Sequence, residues 1–183
     1  LVFTKAPTAI AADEATLPIH ANKTEKLDYE GELAIVIGKR GQNIPKALAF
    51  DYIFGYTIGN DLSARDVQYR HGQYFLGKSL DGTCPLGPYL VSKDEIPDPQ
   101  NLSIVTKVNG EIRQNSSTKH MMFPVADIIS IVSQYVTLEP GDIILTGTPE
   151  GVGKGMNPPQ YLKAGDEVKV SIEGIGTLAN RFA

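Results

Sequence analysis

The stretch YEGELAIVI, from Tyr29 to Ile37, places two carboxylates inside one of the most apolar runs of the sequence. Side chains two residues apart on a strand point to the same face, about 6.6 Å apart along the chain, so Glu30 and Glu32 stand side by side if this stretch is a strand. The opposite face is apolar and consists of Gly31, Leu33, Ile35 and Ile37. Burying two like charges is unfavourable unless a cation or hydrogen-bond donors compensate, and a bound metal ion would satisfy that requirement. Spacing alone leaves a second interpretation open, in which the strand begins outside the sheet and both glutamates are solvated.

Composition and charge narrow the class of protein. The 183 residues are 42% hydrophobic, which suffices for one domain spanning residues 1–183 with a full core. The net charge of -4 and the scattered basic residues give no basic surface, so we expect neither nucleic acid nor a membrane as partner. The single cysteine, Cys84, favours a reducing compartment, and no run reaches the ~20 apolar residues of a membrane span, so we predict a cytoplasmic protein. The opening residues, LVFTK from Leu1, read like the middle of a fold, and we expect an N-terminal segment to precede them.

Secondary-structure signals predict many strands and few helices, an α+β chain dominated by strands. Asn109-Gly110 between two alternating segments predicts a hairpin, and the apolar spacing after Pro124 predicts a helix. Further strands are predicted at 52–58, 89–91 and 142–145, with a last hairpin at 167–178. Short helices are predicted at 46–50 and 64–69, the second with a capping box formed by Ser63 and Asp66. Residues 82–88 are expected to be irregular, and 114–120 a solvated polar loop.

A third carboxylate, Asp61, lies just past the strand predicted at 52–58, where loops often carry functional groups. It would join Glu30 and Glu32 if the two strands are neighbours, although aspartate before a helix is also an ordinary cap. Three carboxylates without cysteine or histidine select a hard cation, Mg²⁺ or Mn²⁺ first and Ca²⁺ next.

Other polar residues offer weaker signals. The segment 72–79 formally matches a phosphate-binding loop, but it follows a predicted helix and Gly82 and Pro85 prevent the required helix after it, so we reject a nucleotide hydrolase. Its Lys78 could act as acid, base or oxyanion partner, or lie solvated at the surface. The glycine-rich stretch 146–153 could hold an anion through its amides and the Thr148 hydroxyl, or be a plain connection. Of the three histidines, His71 alone lies close to Lys78 in sequence.

Four segments in the same order resemble the fumarylacetoacetate hydrolase family. These segments are DYEGEL from Asp28, GNDLSARDVQ from Gly59, GKS from Gly77 and TGTP from Thr146, and the likeness runs from about Phe3 to the C-terminus. The resemblance implies a mixed β-sandwich roll with short helices, a homodimer or larger homo-oligomer, and a Mg²⁺ or Mn²⁺ site.

The same resemblance implies roles for individual residues. Glu30, Glu32 and Asp61 match the family's metal ligands, and Lys78 matches its active-site lysine. Substrate contacts are implied for Arg65, Gln68 and Thr148, in addition to Lys78. Family members carry a water-activating histidine and glutamate in an upstream segment, and nothing in this chain matches that pair.

The expected function is divalent-metal-dependent cleavage of a carbon-carbon bond in a small 2-oxo acid, an acylpyruvate or a fumarylacetoacetate-like compound, through a metal-stabilised enolate. Hydrolysis is the first choice. The same enolate would also serve decarboxylation of an oxaloacetate-like acid or isomerisation of a 2-hydroxyhepta-2,4-diene-1,7-dioate-like acid. A ligand-binding protein without catalysis is the alternative from a different class.

Overall fold

The computed structural model describes residues 1–70 and 72–183, so His71 lies outside the described residues. Twelve strands are described: β1 (Ile10–Ala11), β2 (Thr16–Leu17), β3 (Leu27–Asp28), β4 (Gly31–Ile37), β5 (Ile53–Asn60), β6 (Ser63–Ala64), β7 (Cys84–Ser92), β8 (Ser103–Val108), β9 (Glu111–Ser117), β10 (Ile143–Leu145), β11 (Glu167–Ile172) and β12 (Gly176–Phe182). The α-helices are α1 (Arg65–Arg70), α2 (Phe75–Lys78) and α3 (Val125–Ser133). Short 3₁₀ helices lie at Pro7–Ala9, Lys46–Tyr52, Thr118–His120 and Gly153–Gly155. The strand-dominated α+β fold predicted from the sequence is confirmed.

Two mixed five-stranded sheets and a small third pairing organise these strands. The first sheet has the order β1-β7-β5-β4-β10, and the second has the order β2-β12-β11-β8-β9. Parallel pairing occurs between β1 and β7 and between β12 and β2, whereas the other neighbours are antiparallel. Strands β3 and β6 form the separate pair. The acidic stretch therefore lies in β4, between β5 and β10 in the first sheet.

Close contact between the two sheets depends on Gly31 at the start of β4. A Cβ atom there would collide with Thr106 Oγ1 and lie 2.8 Å from Val170 Cγ1, both on strands of the second sheet. The face of β4 that carries Leu33 and Ile35 belongs to the buried core. Burial on both faces of β4 agrees with the reading of its sequence.

Several predicted elements are confirmed. Hairpin β8–β9 turns at Asn109 and Gly110, whose φ angles are 51° and 84°. Helix α3 follows Pro124, and hairpin β11–β12 closes the fold. The predicted helix at 46–50 is a 3₁₀ helix over Lys46–Tyr52, and α1 lies within one residue of its predicted range. No helix of the described residues is long and apolar enough to cross a membrane.

Three expectations were wrong. The capping box does not form, because Ser63 Oγ donates to Asp61 O and the Asp66 carboxylate accepts from Thr24 Oγ1 and the Glu25 amide. Residues 84–88, expected to be irregular, begin strand β7.

Strand β7 accommodates its prolines where the pairing is short or irregular. Strand β1 pairs with β7 over two residues only, and the β5–β7 register shifts between Tyr56 and Ile58.

The third error concerns residues 114–117, which belong to β9 rather than to a solvated loop. Gln114 is only 1% exposed. Its side chain accepts from the Gly31 amide and donates to Thr148 Oγ1 and Pro149 O.

Candidate active site

Strand pairing brings the three predicted carboxylates together. Glu32 of β4 lies opposite Gly59 of β5, and the Asp61 amide donates to Glu30 O at 2.8 Å just beyond that pairing. One carboxylate oxygen from each of Glu30, Glu32 and Asp61 can be chosen so that all three lie within 4.8 Å of one another. The three residues are 8%, 3% and 2% exposed, so the interpretation with solvated glutamates is wrong.

Lys78 lies among these carboxylates, although the sequence left open a position at the surface. Its Nζ is 2.7 Å from Glu30 Oε2 and 2.6 Å from Asp61 Oδ2, and the residue is 2% exposed. Helix α2 reaches this position because Gly77 packs against α1, where a Cβ would lie 2.5 Å from the Gln68 amide nitrogen. Burial alone would lower the pKa of Lys78, but Asp61 and Glu30 outweigh it and hold the pKa above its usual value. Lys78 is therefore a cation in this arrangement.

Arg65 connects the carboxylate cluster to a fourth buried acid, Asp28. Its NH1 lies 2.6 Å from Glu30 Oε1, and its NH2 lies 2.8 Å from Asp28 Oδ2. NH1 also donates to Gln68 Oε1 at 3.3 Å. Asp28 in turn accepts the amides of Gly153 and Lys154 at 2.7 and 3.0 Å. Asp28 thus ties the 3₁₀ turn at 153–155 to the arginine.

Sequence reasoning missed Lys5, which also belongs to the cluster. Lys5 Nζ lies 2.7 Å from Asp61 Oδ1 and donates to Leu62 O at 3.3 Å. Each oxygen of Asp61 therefore faces one lysine. The residue lies in the opening segment, outside the four motifs, so only its placement in the fold reveals its contact.

The charge balance of the buried cluster leaves room for a cation. Asp28, Glu30 and Asp61 have the basic partners Arg65, Lys78 and Lys5, but no basic group of the described residues is within 4.0 Å of the Glu32 carboxylate. Glu32 Oε2 accepts one hydrogen bond, from the Gly147 amide at 2.6 Å. Burial first, and then the carboxylates of Asp61 and Glu30, raise the pKa of Glu32 well above its usual range. A buried, all-oxygen donor set with one uncompensated carboxylate fits a hard divalent cation.

The glycine-rich loop after β10 holds carboxylates of the protein itself. The Gly147 amide binds Glu32 and the Gly153 amide binds Asp28, so two of the amides predicted to hold an anion do so. Thr148 donates its hydroxyl to Gly31 O at 3.0 Å and accepts from Gln114 Nε2 at 2.8 Å. Gln114 is a second residue that sequence reasoning missed, since it had been assigned to a loop. The loop is thereby fastened along the edge of β4 beside the carboxylate cluster.

The structure therefore groups most of the predicted site residues. Glu30, Asp61, Lys78 and Arg65 are in direct contact, Glu32 completes the carboxylate triad, and Gln68 contacts Arg65. Thr148 does not contact these side chains directly and is connected to the site by its hydrogen bond to Gly31 O of β4. The segment 72–79 follows α1 rather than a strand, which agrees with the rejection of a phosphate-binding loop. His20 binds Asp81 O, whereas His120 lines a groove that Gly147 and Thr148 of the glycine-rich loop also line.

Buried carboxylates beside neighbouring strands, surrounded by lysine and arginine, define a carboxylate-rich site on a mixed β-sheet fold, with a donor set that suits a hard cation. The family model described as fumarylacetoacetate (FAA) hydrolase C-terminal matches residues 1–183. The chain belongs to the fumarylacetoacetate hydrolase family, as its four motifs indicated.

Solved structures support the same assignment. The chain is 52% identical to a fumarylacetoacetate hydrolase from Exiguobacterium antarcticum, with a TM-score of 0.97 over 100% of this chain and 65% of that one. It is 42% identical to a 2-hydroxyhepta-2,4-diene-1,7-dioate isomerase from Mycobacterium marinum, with a TM-score of 0.90 over 100% of this chain and 68% of that one.

An uncharacterised protein of Staphylococcus epidermidis is 60% identical over 97% of this chain and 59% of its own length. The chain thus spans about three fifths of that relative.

Proposed function

We propose that this chain carries the metal and substrate site of an enzyme that cleaves a carbon-carbon bond in a small 2-oxo acid by metal-dependent hydrolysis. The observation that carries the proposal is the buried triad of Glu30, Glu32 and Asp61, with ligand atoms within 4.8 Å of one another and Lys78 beside it. The substrate would be an acylpyruvate or a fumarylacetoacetate-like compound, in keeping with the name of the Exiguobacterium structure.

The triad would hold Mg²⁺ or Mn²⁺, with Ca²⁺ as a less favoured ion. Such an ion supplies Lewis acidity toward the oxygens of a 2-oxo acid. Its charge would also compensate Glu32, which has the Gly147 amide but no basic partner among the described residues. A ligand set of three carboxylates leaves further coordination positions for oxygens of substrate or water.

The basic residues of the chain provide the remaining chemistry. Lys78, a buried cation, lies where negative charge on the substrate would develop, so it stabilises that charge rather than removing a proton. Arg65 has the planar geometry that orients a carboxylate, and Gln68 lies within hydrogen-bonding distance of it. Thr148 is held by Gln114 and Gly31, and it follows Gly147, whose amide binds Glu32. No residue of 1–183 matches the family's water-activating pair, which would lie upstream of Leu1 or be lacking.

Identifying the products that the full-length protein forms from candidate substrates tests this proposal. Acetylpyruvate, oxaloacetate and a 2-hydroxyheptadienedioate are each followed by NMR with Mg²⁺ and with EDTA. We expect acetate and pyruvate from acetylpyruvate, only with metal, and loss of turnover in Glu32→Gln. Glu167→Gln is the matched control. The Glu167 carboxylate is paired with Lys169, away from the triad, so its replacement should leave turnover unchanged. Metal-independent turnover, or a fully active Glu32→Gln enzyme, would contradict the proposal.

Isomerisation is the second candidate reaction, and it is favoured by the Mycobacterium marinum structure that bears an isomerase name at 42% identity. Double-bond migration in the dienedioate, without cleavage of acetylpyruvate, would identify it. Carbon dioxide from oxaloacetate would instead identify a decarboxylase. Metal and 2-oxo acid binding without turnover would identify a ligand-binding protein.

We also propose a homodimer or larger homo-oligomer of cytoplasmic location. Large apolar side chains are exposed just before and just after α3 in the sequence, including Met122 at 88% and Tyr135 at 80% exposure. Their exposure supports self-association. Light scattering on the purified full-length protein would give the mass of the assembly, and a monomer at micromolar concentration would contradict this part of the proposal.

A further inference from the structure

Asp61 is held between two lysines in the interior of the protein. Lys78 Nζ lies 2.6 Å from Asp61 Oδ2, and Lys5 Nζ lies 2.7 Å from Asp61 Oδ1. The side chains of Lys5 and Asp61 are only 9% and 4% exposed, so solvent and salt screen this contact little. Lys78 also contacts Glu30, whereas Asp61 is the one carboxylate of the described residues within 4.0 Å of Lys5 Nζ. The charge of Lys5 therefore acts mainly on a single proposed metal ligand.

The chain around Lys5 holds this residue in place through contacts other than Asp61. The Ala6 amide donates to Ser79 Oγ at 3.0 Å, and Lys5 Nζ donates to Leu62 O at 3.3 Å. Ser79 directly follows helix α2, and Leu62 directly follows Asp61. Lys5 is thus attached to the same elements that carry the site, and its charge belongs to the site with and without a bound ion.

The charges of the carboxylate cluster nearly balance, and Lys5 sets the remainder. The cluster contains four buried carboxylates and three cations, namely Asp28, Glu30, Glu32 and Asp61 with Lys5, Arg65 and Lys78. With every group ionised, four negative and three positive charges leave a net charge of -1, which a divalent ion would change to +1. Uncompensated charge of either sign is unfavourable in a buried site. Without Lys5 the net charge would be -2, and a divalent ion alone would neutralise it.

We infer that Lys5 makes metal binding at the triad depend on a bound anion. The inference rests on the proposed function, in which the triad holds a divalent ion and the ligand is the anion of a 2-oxo acid. With Lys5 present, the ion leaves one positive charge in excess, and the carboxylate of the ligand removes that excess. The ion and the anion therefore bind with positive cooperativity, and each raises the affinity for the other by the same factor.

Lys5 is accordingly a positioning residue, because it acts on the ion through Asp61 and through its own charge. The protein takes up its metal ion together with the 2-oxo acid and holds the ion only weakly between turnovers.

Titration of Mn²⁺ into the full-length protein tests this inference without relying on turnover. Electron paramagnetic resonance measures free Mn²⁺ with and without saturating pyruvate, and a protein-free titration corrects for the Mn²⁺ that pyruvate binds in solution. Pyruvate should tighten Mn²⁺ binding to the wild type by about tenfold or more. Lys5→Met should bind Mn²⁺ about three- to thirtyfold more tightly than the wild type when pyruvate is absent, and pyruvate should then tighten its binding by less than about threefold.

Three further variants separate the charge of Lys5 from its contribution to folding. Lys5→Gln is also neutral but can still donate to Asp61 and should behave like Lys5→Met, with circular dichroism verifying that both are folded. Lys5→Arg retains the charge and should keep the weak Mn²⁺ binding and the response to pyruvate. Lys46→Met is the matched control, because Lys46 pairs with Asp127 outside the carboxylate cluster, and it should match the wild type.

The outcomes separate this inference from the proposed function. A folded Lys5→Met or Lys5→Gln protein that binds Mn²⁺ no more tightly than the wild type would overturn the role of Lys5 and leave the proposed metal site standing. A wild-type affinity for Mn²⁺ that pyruvate does not change would do the same. Failure of the wild type to bind Mn²⁺ under either condition would overturn both the inference and the proposed function.

Discussion

Replacing Glu32 with glutamine should make the metal-free protein more stable while removing its response to metal. The substitution keeps the shape of the side chain and leaves an oxygen to accept the Gly147 amide, whose distance to Glu32 Oε2 is 2.6 Å. It removes a buried negative charge that faces Asp61 and Glu30 and has no basic partner among the described residues. The charge that destabilises the empty site is therefore the charge that a metal ion requires.

The magnitude follows from the separation of the carboxylates. The chosen oxygens lie within 4.8 Å of one another, and two unit charges at that upper limit repel by about 3.5 kcal/mol at an effective dielectric constant of about 20. Lys5, Lys78 and Arg65 offset most of the charge on Asp61 and Glu30, so we take about 1–2 kcal/mol as the net gain in the free energy of unfolding. For a chain of this size that gain corresponds to a rise in Tm of about 2–8 °C.

The gain should depend on pH. The folded protein holds the pKa of Glu32 above its value in the unfolded chain, so the wild type loses stability as pH rises from the unfolded pKa toward the raised one. Glu32→Gln lacks this loss, and its advantage in EDTA should grow with pH across that window.

Calorimetry in EDTA measures the stability gain of the metal-free variant, and calorimetry in Mg²⁺ measures its loss of stabilisation by metal. At a hundredfold excess over Kd, the metal should stabilise the wild type by about 2.7 kcal/mol and the variant by much less. Glu167→Gln, at a half-buried carboxylate paired with Lys169 and Arg181 rather than with any residue of the site, should respond to metal like the wild type. A variant that is less stable in EDTA, or that keeps the full response to Mg²⁺, would refute the charge argument.

Three further predictions test the surroundings of the site. Asp28→Asn should lower the free energy of unfolding by about 1.5–3 kcal/mol in urea titrations, because Arg65 keeps Glu30 but loses the carboxylate that it contacts at 2.8 Å in the protein interior; an unchanged midpoint would contradict this. Gly31→Ala should destabilise the protein by about 1–3 kcal/mol, because the added methyl group meets Thr106 and Val170 of the second sheet, and a neutral effect would mean that the sheets can separate there. Cys84 should react slowly with a thiol reagent at pH 8 in the folded protein and rapidly in denaturant, because burial raises its pKa to about 11; fast native labelling would contradict its burial.

Much of the site could be predicted from the sequence because its signals are local. Two glutamates separated by one residue in a strand share a face wherever that strand lies, but spacing alone left open whether that face is buried or solvated, and the fold shows that it is buried. Asp61 was predicted from its place after the next long strand, and β4 and β5 do pair. The hairpin at Asn109-Gly110 was also predicted, since its turn needs residues that tolerate positive φ.

The errors arose where long-range partners override local chemistry. Ser63 and Asp66 have the spacing of a capping box, but Asp61 O and Thr24 bind them instead. Gln114 reads as a solvated polar residue, yet Gly31, Thr148 and Pro149 satisfy its amide in the interior.

Lys5 could not be predicted from its sequence context. It lies 56 residues from Asp61 along the chain, and only the fold brings the two side chains into contact.

Counting the bound Mn²⁺ ions by electron paramagnetic resonance tests the central claim most directly, because free and bound Mn²⁺ give different signals. We predict one Mn²⁺ per wild-type chain, displaced by Mg²⁺, and none in Asp61→Asn, with circular dichroism showing that the variant is folded. A wild-type chain that binds no Mn²⁺, or a folded Asp61→Asn variant that binds it with wild-type affinity, would contradict the assignment of Glu30, Glu32 and Asp61 as the metal ligands.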